Sequence, residues 1–237
     1  MPSIAIIIPC YNEAKRLQIA AFLHFIGKHP DVQLYFVNDG STDATQTVLK
    51  ELQGQLNCIT VVSMPKNKGK GEAIRKGMVQ ALAAYNYDYI GYLDADLSTS
   101  LEEFYRLYQK MLAKNKSIAF GSRIKKVDSV IERSYVRHLI GRTIATIIDK
   151  KFNLGCYDTQ CGAKIFSSEI LKQVIQQPFL TKWFFDIEIF MRLKKQHGEL
   201  NALEIPLTLW QNAENSKLNI LSFPVVMKEI FILLTKY

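Results

Sequence analysis

Short apolar runs alternate with amphipathic segments through the first part of the chain. The apolar runs, rich in β-branched and aromatic side chains, cover residues 4–8, 34–37, 59–63 and 89–93. Helical patterns lie between them, at about residues 12–28, 41–53 and 70–85. Strands that are apolar throughout and connected by helices are typical of a parallel sheet covered on both faces. The pattern therefore predicts an α/β domain with a mostly parallel central sheet flanked by helices.

The second half of the chain has a less regular pattern. It predicts, in order, a strand at 118–120, a helix at about 130–152, a helix at about 183–197, an extended stretch at 202–210 and an apolar C-terminal segment. In the first of these helices Ile140, Ile144, Ile147 and Ile148 fall on one face. No internal repeat, low-complexity tract or linker interrupts the chain. We therefore expect one domain spanning residues 1–237.

The predicted helices open with polar residues. Ser100 is followed three residues later by Glu103, just before an apolar helical pattern. This spacing is that of a capping box, in which the two side chains bond each other's backbone N–H groups. It predicts a helix start at Ser100.

Composition and charge narrow the class of protein. The 237 residues include 48% hydrophobic and 22% charged residues, which is ordinary globular composition. A net charge of +8 and a pI near 9.2 favour an anionic partner, although many proteins are basic without a specific reason. The four cysteines have no metal-ligand spacing, so reduced thiols in a cytosolic protein are expected. We expect no signal peptide, because IAIIIPCYNE at 4–13 has the pattern of a core strand with no basic region before it. We also expect no membrane span, because no stretch reaches the roughly 20 apolar residues required.

Polar residues collect directly after the predicted strands. The segments that follow four of these strands are PCYNE at 9–13, NDGSTD at 38–43, DAD at 94–96 and GSR at 121–123. In an open parallel sheet the ligand binds beyond the carboxyl ends of the strands. We therefore expect these four loops to meet in one acidic and polar crevice.

Asp94 and Asp96 are the strongest chemical signal in this crevice. Two carboxylates one residue apart suit a hard divalent ion, Mg²⁺ or Mn²⁺, which completes its shell with phosphate oxygens and water. A diphosphate-bearing substrate would supply those oxygens. The alternative is a solvated turn, which the position after an apolar strand disfavours.

The stretch PKNKGKGEAIRKG at 65–77 has alternating lysines and glycines just before a helix. It lacks the Walker A pattern, and no G-x-G-x-x-G follows the first strand. Either the lysines are solvated, or the backbone at Gly69 and Gly71 approaches a ligand closely.

Several ordered motifs resemble the inverting glycosyltransferases of family 2, which have the GT-A fold. In the first half these are IIIPCYNE, FVNDGSTD, NKGKGEAIRKGM and YLDADLS. In the second half GSR, ERSYVRHLIGR, YDTQCGAKIF, WFFDIE and LWQNAENSKLN are similar to the dolichyl-phosphate glucosyltransferase branch. The resemblance covers nearly the whole chain. It implies a nucleotide-binding half at 1–98 and an acceptor-binding half at 99–237, the latter with an amphipathic C-terminal segment.

The resemblance also assigns residues to roles. The nucleotide-sugar pocket would be lined by Pro9, Tyr11, Glu13, Asp39, Lys70 and Asp94. Phosphate on the acceptor or the donor would be held by Arg123, Arg133 and Arg137, because a guanidinium fork suits phosphate oxygens. The remaining motif positions of the branch are Asp158, Gln160, Lys164, Trp183, Asp186 and Glu188.

Individual roles follow from the same resemblance. Asp39 would accept a hydrogen bond from uracil, Asp94 would face the ribose and the diphosphate and contribute to the metal site, and Asp96 would hold the metal. Related mannosyl enzymes often have glutamine where this chain has Ser98, which puts an extra metal ligand in doubt.

Catalysis is assigned to Asp186, as the residue nearest the acceptor, together with Arg123. Glu188 is expected to be structural, since residues two apart on a helix do not share a face. The alternative for Asp186 and Glu188 is a salt-bridged surface pair.

The reaction implied is metal-dependent transfer of a hexose, glucose first, from a UDP-sugar to a polyprenyl or dolichyl phosphate, with inversion. A phosphate acceptor is already ionised and needs positioning rather than deprotonation. Within the family the alternatives are a hydroxyl acceptor in glycan or cell-surface polysaccharide synthesis, and GDP-mannose as donor. A non-catalytic sugar-nucleotide binder is disfavoured by Asp39, Asp94 and Asp96, and a nucleic-acid-binding module has no reader motif here.

A lipid-linked acceptor requires access to a bilayer. Two amphipathic segments, at 138–152 and 220–237, could lie in the membrane interface, helped by basic residues. Alternatively both pack on the sheet or form a homodimer contact. The expected location is cytoplasmic, peripheral at the cytoplasmic face of the membrane.

Overall fold

The computed structural model describes residues 3–127, 129–131, 135–211 and 223–237, and for 135–141, 144, 223 and 224 it describes the backbone alone. The strands in chain order are β1 (Ile4–Cys10), β2 (Val32–Asp39), β3 (Ile59–Met64), β4 (Tyr89–Leu93), β5 (Ile118–Ser122), β6 (Val130–Ile131), β7 (Ala163–Ser167), β8 (Ala202–Pro206) and β9 (Leu209–Trp210). The helices are α1 (Ile19–Lys28), α2 (Thr45–Gln53), α3 (Lys70–Ala84), α4 (Leu101–Ala113), α5 (Tyr135–Phe152), α6 (Ser168–Val174), α7 (Phe185–His197) and α8 (Phe223–Lys236).

Within the residues that the structure describes, seven strands form the central sheet in the order β3-β2-β1-β4-β7-β5-β8. Six of them run in one direction, and β7 is antiparallel to both of its neighbours, β4 and β5. Strands β6 and β9 form a separate parallel pair. The predicted α/β class with a mostly parallel sheet is confirmed.

Apolar side chains cover both faces of the sheet, which is why β1 is buried along almost its whole length. Successive strand residues point to opposite faces, so Ile7 packs under α3 with Val37 while Ile6 and Ile8 pack on the other side. Among the helices of the described residues, none combines the length and the apolar character needed to cross a bilayer.

Two helices differ from the predicted pattern. α1 begins at Ile19 rather than near residue 12, because Asn12 has a left-handed φ of 53° and residues after it form a turn in which the carbonyl of Glu13 accepts from Leu17 N–H at 2.9 Å. On α5, Ile148 is buried but Ile147 is 47% exposed, so the single apolar face predicted for this helix is wrong at Ile147. The side chains of Ile140 and Ile144 lie outside the described residues.

The capping prediction is confirmed at Ser100, whose hydroxyl accepts from Glu103 N–H at 3.1 Å. The Glu103 carboxylate instead accepts from Arg106 and from the backbone and hydroxyl of Thr208, at 2.5 to 3.0 Å. Glu103 therefore ties the start of α4 to the segment between β8 and β9.

Candidate active site

The carboxyl ends of β1, β2, β4 and β5 lie at the same edge of the sheet, as predicted from their shared direction. Since β7 runs the other way, its N-terminal end also reaches this edge, where Leu93 pairs with Ala163. The loops after β1 and β2 are joined by side chains. Asn12 N–H donates to the Ser41 hydroxyl at 3.0 Å, and the side-chain Oδ1 of Asn12 accepts from Thr42 N–H at 2.9 Å.

The predicted nucleotide-pocket residues Pro9, Tyr11 and Glu13 lie on this edge. Pro9 is the second-to-last residue of β1 and pairs with Val37 of β2. Tyr11 follows the strand directly. Glu13 is buried, its N–H donates to the Thr45 hydroxyl at 2.8 Å, and its carboxylate accepts from Arg16 at 2.5 Å. The backbone at Glu13 is therefore held by the Thr45 side chain at the start of α2.

Asp39 is buried at the end of β2 and organises the lysine-glycine stretch before α3. Its two carboxylate oxygens accept from Lys68 N–H and Gly69 N–H, each at 2.8 Å. Burial raises the pKa of Asp39, and these hydrogen bonds act in the opposite direction. A carboxylate has about four acceptor positions, so Asp39 retains capacity for a further donor such as a base N–H.

Asp94 and Asp96 follow β4, and a cation already faces the first of them. Lys70 Nζ lies 2.5 Å from Asp94 Oδ1. Although burial opposes the charged amine, the carboxylates of Asp94, Asp186 and Asp96 raise the pKa of Lys70, so it is an ammonium at neutral pH. The Asp96 side chain stabilises the turn after β4, since its Oδ1 accepts from Ser98 N–H at 3.0 Å.

The donor set at this edge fits a divalent metal that brings other ligands with it. Asp94 and Asp96 supply carboxylate oxygens one residue apart, and Lys70 stands as a cation against one of those oxygens. Throughout the part of the chain that the structure describes, no group of three or more His, Cys, Asp or Glu side chains is arranged to hold a metal alone. Mg²⁺ is commonly held by one or two carboxylates together with substrate phosphates and water, which matches such a set.

Asp186 lies in the first turn of α7, buried beside this crevice. Its Oδ1 accepts from the Tyr92 hydroxyl, and Lys164 Nζ lies 3.3 Å away. Burial raises the pKa of Asp186, while Lys164 and Lys70 act in the opposite direction. Burial and the Asp186 carboxylate raise the pKa of Tyr92 well above its usual value, so its hydroxyl stays a donor.

Glu188 contacts a different set of groups from Asp186, as predicted from their spacing. It is fully buried and accepts from Thr181 N–H, the Thr181 hydroxyl, Arg192 and the Tyr237 hydroxyl at 2.8 to 3.0 Å. These contacts connect α7 to its preceding loop and to the end of α8. The alternative of an exposed salt-bridged pair is wrong for both acids.

Arg123, at the end of β5, is held in a fixed orientation. Its Nε and Nη2 donate to the two Asp158 oxygens, each at 2.7 Å, and its guanidinium lies over the Trp210 ring. Burial acts against the charge, but Asp158 raises the pKa of Arg123 above its usual value. Asp158 is itself positioned by its N–H, which donates to Glu204 at 2.8 Å.

The other predicted phosphate-binding arginines cannot be placed in this way. Arg133 lies outside the described residues, and for Arg137 the structure describes only its backbone on α5. Gln160, by contrast, lines a small cavity together with Arg123 and Arg142.

Sequence reasoning did not single out Tyr92, Gly162, Lys182 or Glu229. Tyr92 has the sequence signal of a core strand residue, and the one hint of its contact is its hydroxyl two positions before Asp94. Gly162 has no signal, yet a Cβ there would lie 2.2 Å from Asp94 Oδ2. Lys182 is near this region, since its side chain lies along Gly69.

Glu229 does have a signal, as a lone acid in an apolar segment. It is buried, and its carboxylate accepts from Lys182 N–H at 3.0 Å and Trp183 N–H at 2.9 Å. α8 is thereby attached to the loop that leads into Asp186.

Comparisons with known proteins agree with this geometry. Residues 5–175 match the profile of Glycosyl transferase family 2. The chain is 28% identical to a dolichyl-phosphate beta-glucosyltransferase of Dictyostelium discoideum, over 94% of this chain and 71% of that protein. It is also 28% identical to the human dolichyl-phosphate beta-glucosyltransferase, over 91% of this chain and 69% of that one.

Solved structures show the same fold at lower identity. Glucosyl-3-phosphoglycerate synthase from Mycobacterium tuberculosis, in complex with Mn²⁺, UDP and glucosyl-3-phosphoglycerate, superimposes with a TM-score of 0.70 at 18% identity, over 97% of this chain and 77% of that one. Mannosyl-3-phosphoglycerate synthase from Rubrobacter xylanophilus gives a TM-score of 0.73 at 18% identity, over 99% of this chain and 75% of that one. The sheet order and the family match lead to one conclusion, that this chain is a glycosyltransferase of the GT-A fold and belongs to glycosyl transferase family 2.

Proposed function

We propose that this glycosyltransferase transfers glucose from UDP-glucose to a lipid phosphate of the polyprenyl or dolichyl type, with inversion at the anomeric carbon. The observation that carries the proposal is the pair Asp94 and Asp96, which meets Lys70 and Asp39 at the carboxyl edge of the sheet. The similarity to dolichyl-phosphate beta-glucosyltransferases extends over nine-tenths of the chain and supports the choice of donor and acceptor.

Residues 1–98 form the donor half in this proposal. Pro9, Tyr11 and Glu13 line the nucleotide pocket, and Asp39 accepts from the uracil ring with the acceptor positions left by Lys68 and Gly69. Lys70 lies where a diphosphate would need a cation, within reach of Asp94.

The proposed cofactor is Mg²⁺ or Mn²⁺. Asp94 and Asp96 would hold it, and when bound it would supply positive charge to the departing diphosphate. Complexes with Mn²⁺ and with Mg²⁺ are known for the mycobacterial glucosyl-3-phosphoglycerate synthase, which shares the fold.

Residues 99–237 form the acceptor half. Arg123 would bind a phosphate oxygen with its Nη1 donors, while Asp158 keeps the guanidinium plane fixed. Arg133 and Arg137 are proposed to hold the same phosphate. Because a lipid phosphate is already anionic at neutral pH, the acceptor needs no general base. Asp186, which is buried and bonded to Tyr92, would then orient the groups around the acceptor rather than remove a proton.

The lipid acceptor implies a membrane surface as partner. On α8, Ile230 and Leu233 pack into the core, while Val225, Met227 and Phe231 are exposed, Phe231 to 67%. We propose that this exposed face of α8 lies in the membrane interface, peripheral at the cytoplasmic side, with Lys228 and Lys236 near anionic headgroups. A homodimer contact through the same face is the competing arrangement.

The experiment is a radiolabel transfer assay with UDP-glucose, Mn²⁺ or Mg²⁺ and a polyprenyl phosphate in detergent. We expect metal-dependent transfer of glucose into the organic phase. Parallel reactions use GDP-mannose as donor, the free polyprenol as a hydroxyl acceptor, and EDTA. Hydrolysis of UDP-glucose without a lipid product would contradict the lipid acceptor and favour a hydroxyl-bearing glycan. Transfer that persists in EDTA would contradict the role given to Asp94 and Asp96.

A further inference from the structure

The backbone next to Lys70 is held in one conformation. It is the first residue of α3, and the residue before it, Gly69, has a φ of 97° that favours glycine. The Asp39 carboxylate accepts hydrogen bonds from Lys68 N–H and Gly69 N–H, each at 2.8 Å. The start of the Lys70 side chain is therefore fixed, whereas its four-carbon stem is partly exposed and can turn.

The Asp94 carboxylate lies between Gly162 and Lys70. A Cβ built on Gly162 would lie 2.2 Å from Asp94 Oδ2, so the backbone of Gly162 lies close to that carboxylate. Asp94 N–H donates to the Gly162 carbonyl at 3.2 Å, which fixes the residue against β7. Oδ1 is the oxygen that faces Lys70, at 2.5 Å from Nζ.

We propose that Lys70 is the exchangeable counter-cation of Asp94. In the ligand-free protein it holds Asp94 Oδ1 in the place of the metal. When the nucleotide diphosphate arrives with its metal, Lys70 leaves Asp94 and pairs with the diphosphate, where it stabilises the charge of the leaving group. The proposal rests on the proposed function for the identity of the nucleotide.

Charge and distance make the two positions of Lys70 mutually exclusive. Mg²⁺ binds carboxylate oxygen at about 2.0–2.1 Å. The Lys70 ammonium lies 2.5 Å from Asp94 Oδ1. A metal ion and this ammonium would therefore repel each other at short range if both contacted Oδ1. A diphosphate removes this conflict because it offers new oxygens to the ammonium. Metal and nucleotide are therefore expected to strengthen each other's binding.

The test is Mn²⁺ binding, followed by the electron paramagnetic resonance signal of the free ion, with and without UDP. The variant Lys70→Met keeps most of the apolar stem and removes the charge. Lys76→Met is the matched control, since it removes the same charge from an exposed position of the same helix. Lys70→Arg restores a cation at the site. Thermal unfolding of each variant shows whether it is folded.

In the wild-type protein, UDP should strengthen Mn²⁺ binding by about tenfold or more. Lys70→Met should bind Mn²⁺ alone at least about fivefold more tightly than wild type, and UDP should then strengthen the binding less. Lys76→Met and Lys70→Arg should behave like wild type. Unchanged or weaker Mn²⁺ binding by folded Lys70→Met overturns the proposal, as does an equal gain in Lys76→Met.

These outcomes are separate from those of the proposed function. The binding measurements use no acceptor, so a failure to glucosylate a lipid phosphate leaves their result intact. Conversely, if the lipid product forms while Lys70→Met binds Mn²⁺ as weakly as wild type, the proposed function stands and the exchange of Lys70 is wrong.

Discussion

The two halves of the sheet carry their polar residues in different ways. From β1 to β4 the strands are all parallel, and the polar side chains follow the strand ends, as Asp39 and Asp94 do. From β7 onwards the polar groups lie inside the elements. Lys164 is the second residue of β7, and Asp186 and Glu188 are in the first turn of α7.

The difference in placement is also a difference in stabilisation. At the strand ends, carboxylates and amides bind backbone N–H groups, as Asp39 binds Lys68 and Gly69. In the second half, the buried acids Asp186 and Glu188 are paired with the cations Lys164 and Arg192. A buried pair carries a large penalty when one partner is removed, whereas a loop hydrogen bond can often be replaced by water. Substitutions in the two halves should therefore have different consequences.

The largest effect is expected at Lys164, whose side chain is fully buried between the rings of Tyr92 and Phe190. Lys164→Met leaves the Asp186 carboxylate without its cation at 3.3 Å. The free energy of unfolding should fall by about 3–5 kcal/mol, as for other broken buried pairs. Urea denaturation with an unchanged m value measures the loss.

Two further variants make this prediction specific. Lys172→Met, at an exposed position of α6, should change the free energy of unfolding by less than about 0.5 kcal/mol. Lys164→Met combined with Asp186→Asn should recover more than half of the loss, because no unpaired charge remains. A loss below about 1 kcal/mol in Lys164→Met alone would show that the pair is not what holds this region together.

The same contrast explains what the sequence could predict. The strand ends around Asp39 and Asp94 were predictable because continuously apolar runs end there, and the carboxyl ends of parallel strands share an edge. The antiparallel direction of β7 was not, since AKIF has the pattern of any buried strand. The contact of Gly162 with Asp94 depends on that direction, because it brings the start of β7 to the crevice.

The partners of the buried acids were equally hidden. Glu229 is a lone acid in an apolar segment, and its carboxylate accepts from Lys182 N–H and Trp183 N–H. A single sequence shows that such an acid needs a partner but not which one, because the partner is distant along the chain. The different roles of Asp186 and Glu188 were predictable, since helical geometry alone separates their directions.

Gly162 lies where the two halves meet, and its substitution should affect activity more than folding. In Gly162→Ala the methyl group would lie 2.2 Å from Asp94 Oδ2, so the carboxylate must move. A displacement of about 1 Å in a reacting group can lower a rate by about 100-fold, and we expect a loss of that order in transfer activity. The steady-state rate of glucosyl transfer measures it.

The matched control is Gly27→Ala, since no atom lies within 4 Å of a Cβ at that position. It should leave activity unchanged and should stabilise α1 slightly. Unfolding of Gly162→Ala should show a loss of only about 1–3 kcal/mol, typical of overpacking. Full activity in Gly162→Ala would mean that the position of Asp94 is not critical.

The smallest expected effect concerns Glu103 on α4. Its carboxylate accepts from a backbone N–H group, that of Thr208, as the Asp39 carboxylate does from Lys68 N–H. Burial acts to raise its pKa, but Arg106 and Thr208 lower the pKa of Glu103 below its ordinary value of 4.5. Its stabilising contribution is therefore present above pH 4.5 and is lost as the pH falls through the lower value in the folded protein. Glu103→Gln should reduce the free energy of unfolding by about 2 kcal/mol at pH 7.

The pH dependence separates this contact from a simple helix-end effect. The difference between wild type and Glu103→Gln, measured by urea denaturation, should shrink as the pH is lowered from 7 towards 3.5, because the wild-type carboxylate takes up its proton. Glu102→Gln removes an exposed carboxylate from the same helical turn and should cost less than about 0.5 kcal/mol at any of these pH values. Equal losses in the two variants would mean that the helix dipole is responsible. Glu103→Gln should therefore lose more free energy of unfolding than Glu102→Gln, and this loss should decrease in acid. That result would show that Glu103, predicted to close a capping box, stabilises the protein through Arg106 and Thr208 instead.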